Sequence, residues 1–458
     1  MSRRTKRWCL TIPMVALLAA QAPAQTPSLA DRYAEPARRI IDAALGDSAA
    51  WGKVAELSDR FGHRFSGSES LERAIDWALA RMSAEGLENV RGEPVMVPRW
   101  VRGEESAALV TPRAMPLPML GLGGSVATPP EGITAPVLVV GSFDDLRSRG
   151  GEAHGRIVVY NVAFTSYGAT VQYRTNGAVE AAKLGAVAAL VRSVTPNSQR
   201  TPHTGALRYD STVAAIPSAA ITVEDALLLQ RMQDRGEPIV VRLRMGARTL
   251  PDAQSRNVVA ELRGRERPNE IVVMGGHIDS WDVGSGAMDD GGGVVVAWEA
   301  VRLLKQLGLR PRRTIRVVGW TNEENGLRGG TAYRDAHAAE LDEHILAIES
   351  DGGVFAPRGF GFSGSDSARA LLRDVVRLLS PLRADTLFSG GGGADIGPIM
   401  QRGVPGLGHV VDGSRYFWYH HTPADTPDKL DPREVGMNVA AMAIMAFVVA
   451  DMPERLPR

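Results

Sequence analysis

The chain has 458 residues, 52 basic side chains against 52 acidic ones, 44% hydrophobic residues and 23% charged residues. That length suggests about two or three domains, and the even balance excludes a generally basic nucleic-acid binder and a long acidic tail. The single cysteine, Cys9, excludes an intrachain disulfide and a thiolate zinc cage, so a metal must be held by the nine histidines and by carboxylates.

Residues 1–24 read as an export signal. Arg3, Arg4, Lys6 and Arg7 form a charged start, and Trp8 to Ala20 is a mostly apolar stretch too short to span a bilayer. Ala22-Pro23-Ala24 supplies the small-residue pattern that a signal peptidase cuts. A leader retained as an anchor is the alternative. Cleavage before Gln25 removes four basic residues and the cysteine, leaving 48 basic against 52 acidic groups, a balance of −4. No later stretch reaches 18 apolar residues. The expected product is a soluble secreted or periplasmic protein with no stable membrane insertion and no dependence on disulfides.

Residues 25–111 are expected to form the N-terminal part of the main domain, mainly helical through residue 105. Ser68 is an N-cap, Leu71, Ile75, Ala78, Leu79 and Met82 follow at helical spacing, and Gly86 is a stop. Pro112 to Pro136 reads as a Gly- and Pro-rich linker. With that linker, residues 112–250 form a separate β-rich insert. Val137 to Val140, Ile157 to Tyr160, Ala186 to Val191 and Ile216 to Ile221 are its strand-like runs, and Ala178 to Leu184 is a short helix. The insert shows no cluster of His, Asp and Glu.

Residues 251–458 alternate. Strand-like runs are Asn257 to Leu262, Ile271 to Met274, Thr314 to Trp320, Ile345 to Glu349 and Gly406 to Val411. Helix-like runs are Val294 to Leu307, Leu327 to Ala339, Ser367 to Leu379 and Pro432 to Ala450. The fold class is therefore α/β, a mostly parallel mixed sheet flanked by helices on both faces.

In such a sheet, functional groups collect in loops beyond the carboxyl ends of strands. Four polar clusters fall there: His277-Ile278-Asp279 with Asp289-Asp290, Glu323-Glu324, Glu349-Ser350-Asp351, and His420-His421 with Asp425. Imidazoles and carboxylates without sulfur suit Zn²⁺, with Mn²⁺ or Co²⁺ as alternatives. Five ligands with one shared carboxylate are enough for two metals about 3.5 Å apart. Of the adjacent Glu323 and Glu324, one can bind metal while the other faces a water and takes its proton. Singly, each residue has a structural reading, and Asp290 in particular reads as a helix N-cap.

The motifs Gly276-His277-Ile278-Asp279-Ser280, Gly286-Ala287-Met288-Asp289-Asp290, Glu323-Glu324-Asn325-Gly326-Leu327, Glu349-Ser350-Asp351 and His420-His421-Thr422-Pro423-Ala424-Asp425-Thr426 resemble the di-zinc aminopeptidase-type metallopeptidase family. Gly392 to Pro398 and Gly403 to Gly406 resemble one branch of it in particular, and residues 135–250 resemble the protease-associated domain inserted in such enzymes. The resemblance implies a zinc-exopeptidase fold and two Zn²⁺ per chain. It makes His277 and Asp351 ligands of one metal, Glu324 and His421 ligands of the other, and Asp289 the bridge. His421 is preferred to His420 because the family places its ligand directly before Thr or Ser. Glu323 becomes the general base on a metal-bridging water, and Asp279 the outer carboxylate that orients the metal-binding His. The implied substrate is a dipeptide or short peptide; homodimerisation follows from the resemblance alone. A same-fold glutaminyl cyclase or non-peptide amidohydrolase, and a non-catalytic binding module, are the alternatives. No Gly-x-Ser-x-Gly elbow and no His-Glu-x-x-His motif is present.

Overall fold

The computed structural model describes Met1 and residues 28–458. The export signal expected at residues 1–24 lies outside the described residues, Met1 excepted.

Three helices open the chain: Leu29–Leu45, Ala49–Phe61 and Glu69–Ala84. Ser28 and Asp31 cap the first reciprocally, and the Ser68 hydroxyl caps the third by accepting from Leu71 N. Leu71, Ala74, Ile75, Ala78 and Met82 of the third are all buried, at the spacing of one helical face. Helix then gives way to two strands, β1 (Glu88–Val101) and β2 (Glu105–Thr111), where the sequence reading had continued helix to residue 105. Val95 and Val97 point inward while Met96 is exposed, the two-residue period of a strand. That alternation gains its meaning only beside the long strand with which β1 pairs.

Residues 105–245 build a second lobe on their own sheet. After β2 come β3 (Met115–Leu117), β4 (Met119–Gly121), β5 (Ile133–Val140), β6 (Ile157–Tyr160), β7 (Ala188–Arg192), β8 (Ser218–Ile221) and β9 (Val240–Met245). Their order is β3-β2-β9-β5-β6-β7-β8-β4, and β5 to β8 run parallel. Alternate residues of β5 and β6 feed two apolar layers, Val137, Val139 and Val159 on one face and Leu138, Val140 and Val158 on the other. Helices Tyr167–Ala182 and Val223–Asp234 cover these layers. The lobe thus starts seven residues ahead of the expected Pro112 boundary. The stretch read as linker carries β3, β4 and the start of β5.

The first lobe's sheet adds β10 (Arg248–Leu262), β11 (Arg267–His277), β12 (Arg313–Trp320), β13 (His344–Glu349), β14 (Pro357–Ser363), β15 (Thr386–Ser389) and β16 (Gly406–Val411). Their order is β1-β10-β12-β11-β13-β16-β14-β15. The centre, β12-β11-β13-β16, is parallel, and the flanking β1-β10, β10-β12 and β14-β16 pairs are antiparallel. The α/β expectation, a mostly parallel mixed sheet between helices, is borne out. Helices Gly292–Gln306 and Pro432–Asp451 pack on one face, and Tyr333, Ile396 and Ile399 close the other. By length and composition Pro432–Asp451 is apolar enough to cross a membrane, and 83% of its most apolar window is buried inside the protein. It serves here as a core helix. From β11 the chain passes to β12 on one side and later to β13 on the other. Strand order reverses there, which opens a crevice beyond the carboxyl ends.

Candidate active site

His277 ends β11 inside that crevice and is fully buried. The approach is tight because Gly276 precedes it: a Cβ there would lie 2.1 Å from Asp290 Oδ2. His277 N donates to Asp290 Oδ2 at 3.0 Å, and Asp290 Oδ1 accepts from Gly293 N at 3.1 Å. Asp290 therefore caps the following helix and ties it to β11. His277 Nδ1 lies 2.9 Å from the Asp279 carbonyl oxygen. A carbonyl only accepts, so Nδ1 carries the proton and Nε2 presents its lone pair. That Nε2 faces Asp289 Oδ1 at 3.2 Å, Asp351 Oδ1 at 3.4 Å and Glu323 Oε2 at 4.0 Å.

Asp289 faces two ways. Its second oxygen, Oδ2, lies 3.3 Å from His421 Nε2 and 3.6 Å from His420 Nε2. Its backbone is set by the Asp425 carboxylate, which accepts from Met288 N at 2.7 Å and Asp289 N at 3.2 Å. Arg64, fully buried, donates to the carbonyls of Ile278, Ser285 and Gly286 at 2.6–2.8 Å and so folds the loop between Asp279 and Asp289.

The loop after β12 brings in the glutamates. Asp279 holds it: its carboxylate accepts from Glu323 N at 3.1 Å and Glu324 N at 3.4 Å. The sequence reading had this carboxylate orienting His277. The carbonyl does that instead, and the carboxylate stands 3.8 Å from Nδ1. Glu324 Oε2 lies 3.0 Å from His421 Nε2. His421 sits at φ +60°, a conformation few non-glycine residues adopt. The second lobe holds it there: Thr204 N donates to His421 O at 3.1 Å, and Thr204 O accepts from His421 Nδ1 at 3.2 Å. His420 stacks on His421 with ring centroids 3.5 Å apart, and its carbonyl accepts from His203 Nδ1 at 2.7 Å.

Burial raises Glu323 well above the ordinary carboxylate range; His277 opposes this, and Asp351 and Glu324 add to it. Burial, reinforced by Asp289, pushes Glu324 up to about 7. Burial opposes protonation of His421, yet Glu324 and Asp289 raise it to about 9. Burial and the neighbouring His421 hold His420 well below its usual value. Asp289 Oδ2 and Glu324 Oε1 are buried without a hydrogen-bond donor. Crowded carboxylates with orphaned oxygens call for cations. Ligand atoms of His277, Asp289 and Glu324, and of Asp289, His420 and His421, lie within 4.8 Å of one another, as a nitrogen–oxygen metal site requires.

A cavity of about 380 Å³ opens onto this cluster, lined by Asp289, Glu323, Glu324, Asp351, His420 and His421. His277 and Asp279 lie behind its wall, both fully buried. Tyr416 and Phe417 complete the first lobe's share, while Tyr167 and Arg174 come from the second. No motif marks Tyr167, Arg174 or Thr204; they become visible only when the lobes meet. Arg64 likewise stands in a segment with no polar pattern.

A switch-point crevice with this carboxylate–imidazole wall defines a metallo-exopeptidase. Residues 257–446 match peptidase family M28. Carboxypeptidase Q of Mus musculus is 49% identical over 429 residues, 93% of this chain and 91% of the relative. The crystal structure of a peptidase M28 precursor from Shewanella amazonensis SB2B superposes with a TM-score of 0.90 at 37% identity, covering 93% of this chain and 99% of that one. A zinc aminopeptidase from Bacillus subtilis shares the fold, with a TM-score of 0.65 at 19% identity over 88% of this chain and 95% of that one. The chain belongs to peptidase family M28, and the branch that Gly392 to Pro398 resembles is that of carboxypeptidase Q.

Proposed function

We propose that the protein is a secreted or periplasmic zinc exopeptidase that holds two zinc ions and hydrolyses dipeptides or short peptides, with residues 105–245 as its protease-associated domain. One observation carries this reading: the two oxygens of Asp289 face different imidazoles, His277 at 3.2 Å and His421 at 3.3 Å, in one cavity wall. Asp289 would then be shared by the two ions, His277 and Asp351 would hold one, and Glu324 and His421 would hold the other. His421 is favoured over His420 because it is nearer Asp289 and also meets Glu324 at 3.0 Å.

Bound zinc supplies Lewis acidity, which brings water ionisation towards neutrality and polarises a carbonyl. The protein residues supply the rest. Glu323 lines the cavity, its Oε2 4.0 Å from His277 Nε2 and its backbone pinned by Asp279. It accepts the proton of the attacking water and returns it to the departing amine nitrogen. Asp279 and Asp425 fix the two loops from which Glu323 and Asp289 project. Tyr416 and Phe417 give the cavity an aromatic wall.

The test is a panel of dipeptides, amino-acid amides and N-terminal Gln peptides, assayed with and without chelator beside elemental analysis. Two zinc ions per chain and chelator-sensitive peptide hydrolysis are expected. Chelator-insensitive hydrolysis, or cyclisation of N-terminal Gln in place of hydrolysis, overturns the reading.

A further inference from the structure

The second lobe places a cation in the cavity wall that makes no ion pair with any carboxylate among the described residues. Arg174, on the Tyr167–Ala182 helix, is 6% exposed and lines the same cavity as Asp289, Glu323 and Glu324. Buried guanidinium groups are ordinarily paired with carboxylates. Arg102 meets Asp282, Arg313 meets Glu270, and Arg316 meets Glu261. Among the described residues, no carboxylate makes such a pair with Arg174. Its Nη1 donates to Thr204 O at 3.3 Å and its Nη2 to Tyr167 Oη at 2.8 Å, both uncharged acceptors, and its Nε has no partner. Arg64 also lacks a carboxylate, but carbonyls occupy its N–H groups and it lines no part of the cavity.

The space for this guanidinium is built in. Gly205 sits at φ +144°, and a Cβ there would stand 2.2 Å from Arg174 Cζ. Arg174 Nη1 lies 3.5 Å from His421 Nδ1, directly beside the carboxylate–imidazole cluster. Two of the five guanidinium N–H groups are engaged, so donors remain. A planar, permanently charged fork of this kind fits a carboxylate.

We propose that Arg174, steadied by Tyr167, recognises the free α-carboxylate of the residue just beyond the scissile bond and so sets cleavage next to a carboxyl terminus. The proposal rests on the exopeptidase reading of the same cavity. Reach supports it: Arg174 Nη1 stands 3.5 Å from His421 Nδ1, beside the cluster that this reading makes the reacting centre, and one residue spans about 3.3–3.6 Å, so a carboxylate one residue past the scissile carbonyl stays close to that centre. Each further residue carries the charge outward by as much again.

The zinc-loaded enzyme is assayed on alanyl-alanine and on its C-terminal amide, with zinc content measured in every variant. Wild type is expected to favour the free acid. Arg174→Gln should lower kcat/KM for the free acid by about 100-fold, chiefly through KM, against less than about 5-fold for the amide. Zinc content should not change, and Arg174→Lys should restore part of the preference. Equal losses on both substrates overturn the proposal, as does loss of zinc, which would make Arg174 a brace for His421. If zinc-loaded wild type hydrolyses neither substrate, the exopeptidase reading itself fails.

Discussion

The two lobes are built alike and contribute differently. Each has an eight-stranded mixed sheet with four adjacent parallel strands. In the second lobe these are β5-β6-β7-β8, in chain order, so every crossover moves the same way and no crevice opens within the block. In the first lobe β11 has β12 on one side and β13 on the other, and the reversal leaves room for side chains beyond the strand ends. Chemistry gathers where strand order turns. The second lobe acts at a distance from its own sheet, through a helix-borne Arg174, the Thr204 carbonyl and the His203 ring.

The sharpest test of this division is Glu323→Gln. It removes the proton carrier of the first lobe, and kcat should fall by about 10²–10⁴-fold while zinc content stays intact. A nearly active variant would take the general-base role from Glu323. Next comes the histidine pair that the second lobe clamps. His421→Ala should cost close to half of the bound zinc by elemental analysis, whereas His420→Ala should leave most of it; the reverse result would exchange their roles.

The lobe junction offers a third test. Trp281 is 2% exposed and packs on Phe65 with centroids 4.9 Å apart, and a Cβ on Gly123 of the second lobe would lie 2.2 Å from its ring. Trp281→Ala should destabilise the protein by about 3–5 kcal/mol in denaturant titrations. An unchanged midpoint would mean that the lobes are held together elsewhere.

The smallest expected effect is a shared pH dependence. Burial lowers His344 of the first lobe to about 4 and His203 of the second to about 3. Both values lie below the ordinary histidine value, so the folded state favours the neutral ring. Their stabilising contribution is complete above pH about 6.5 and declines as pH falls, towards about 4 for His344 and about 3 for His203. The thermal midpoint should drop across that window, and His344→Gln should flatten part of the slope. A midpoint that rises on acidification contradicts this.

Much of the first lobe was legible because its signals are local. Each of β11, β12 and β13 is a largely apolar run ending in or next to a polar cluster, and a strand end followed by His, Glu or Asp can be read without knowing its neighbours; His420 and His421 follow β16 only after the Tyr416–Tyr419 helical turn. β1 and β2 were not legible: the alternation around Val95, Met96 and Val97 matters only opposite Ser255, Gln254 and Ala253 of β10, far away in sequence. The linker reading of Pro112 to Pro136 failed for a related reason. Three-residue strands such as β3 and β4 have no pattern of their own and are fixed by the partner that supplies their hydrogen bonds. Asp279 shows the same limit at the level of atoms. Its presence beside His277 was plain, but which of its oxygens serves the imidazole and which holds Glu323 and Glu324 depends on two loops meeting.

Residue order is enough to set the chemistry available here: no thiolate cage, several carboxylates and imidazoles at strand ends, and an α/β frame that would bring them to one rim. Hydrophobic periodicity and motif spacing carry that much because they are properties of neighbouring residues. Only the packed fold makes Asp289 face both His277 and His421, lets Thr204 set the His421 tautomer from another lobe, and brings Arg174 into the cavity with no carboxylate paired to it among the described residues. Those outcomes depend on contacts between segments more than 100 residues apart, where distance and burial, not residue type, determine what a side chain can do.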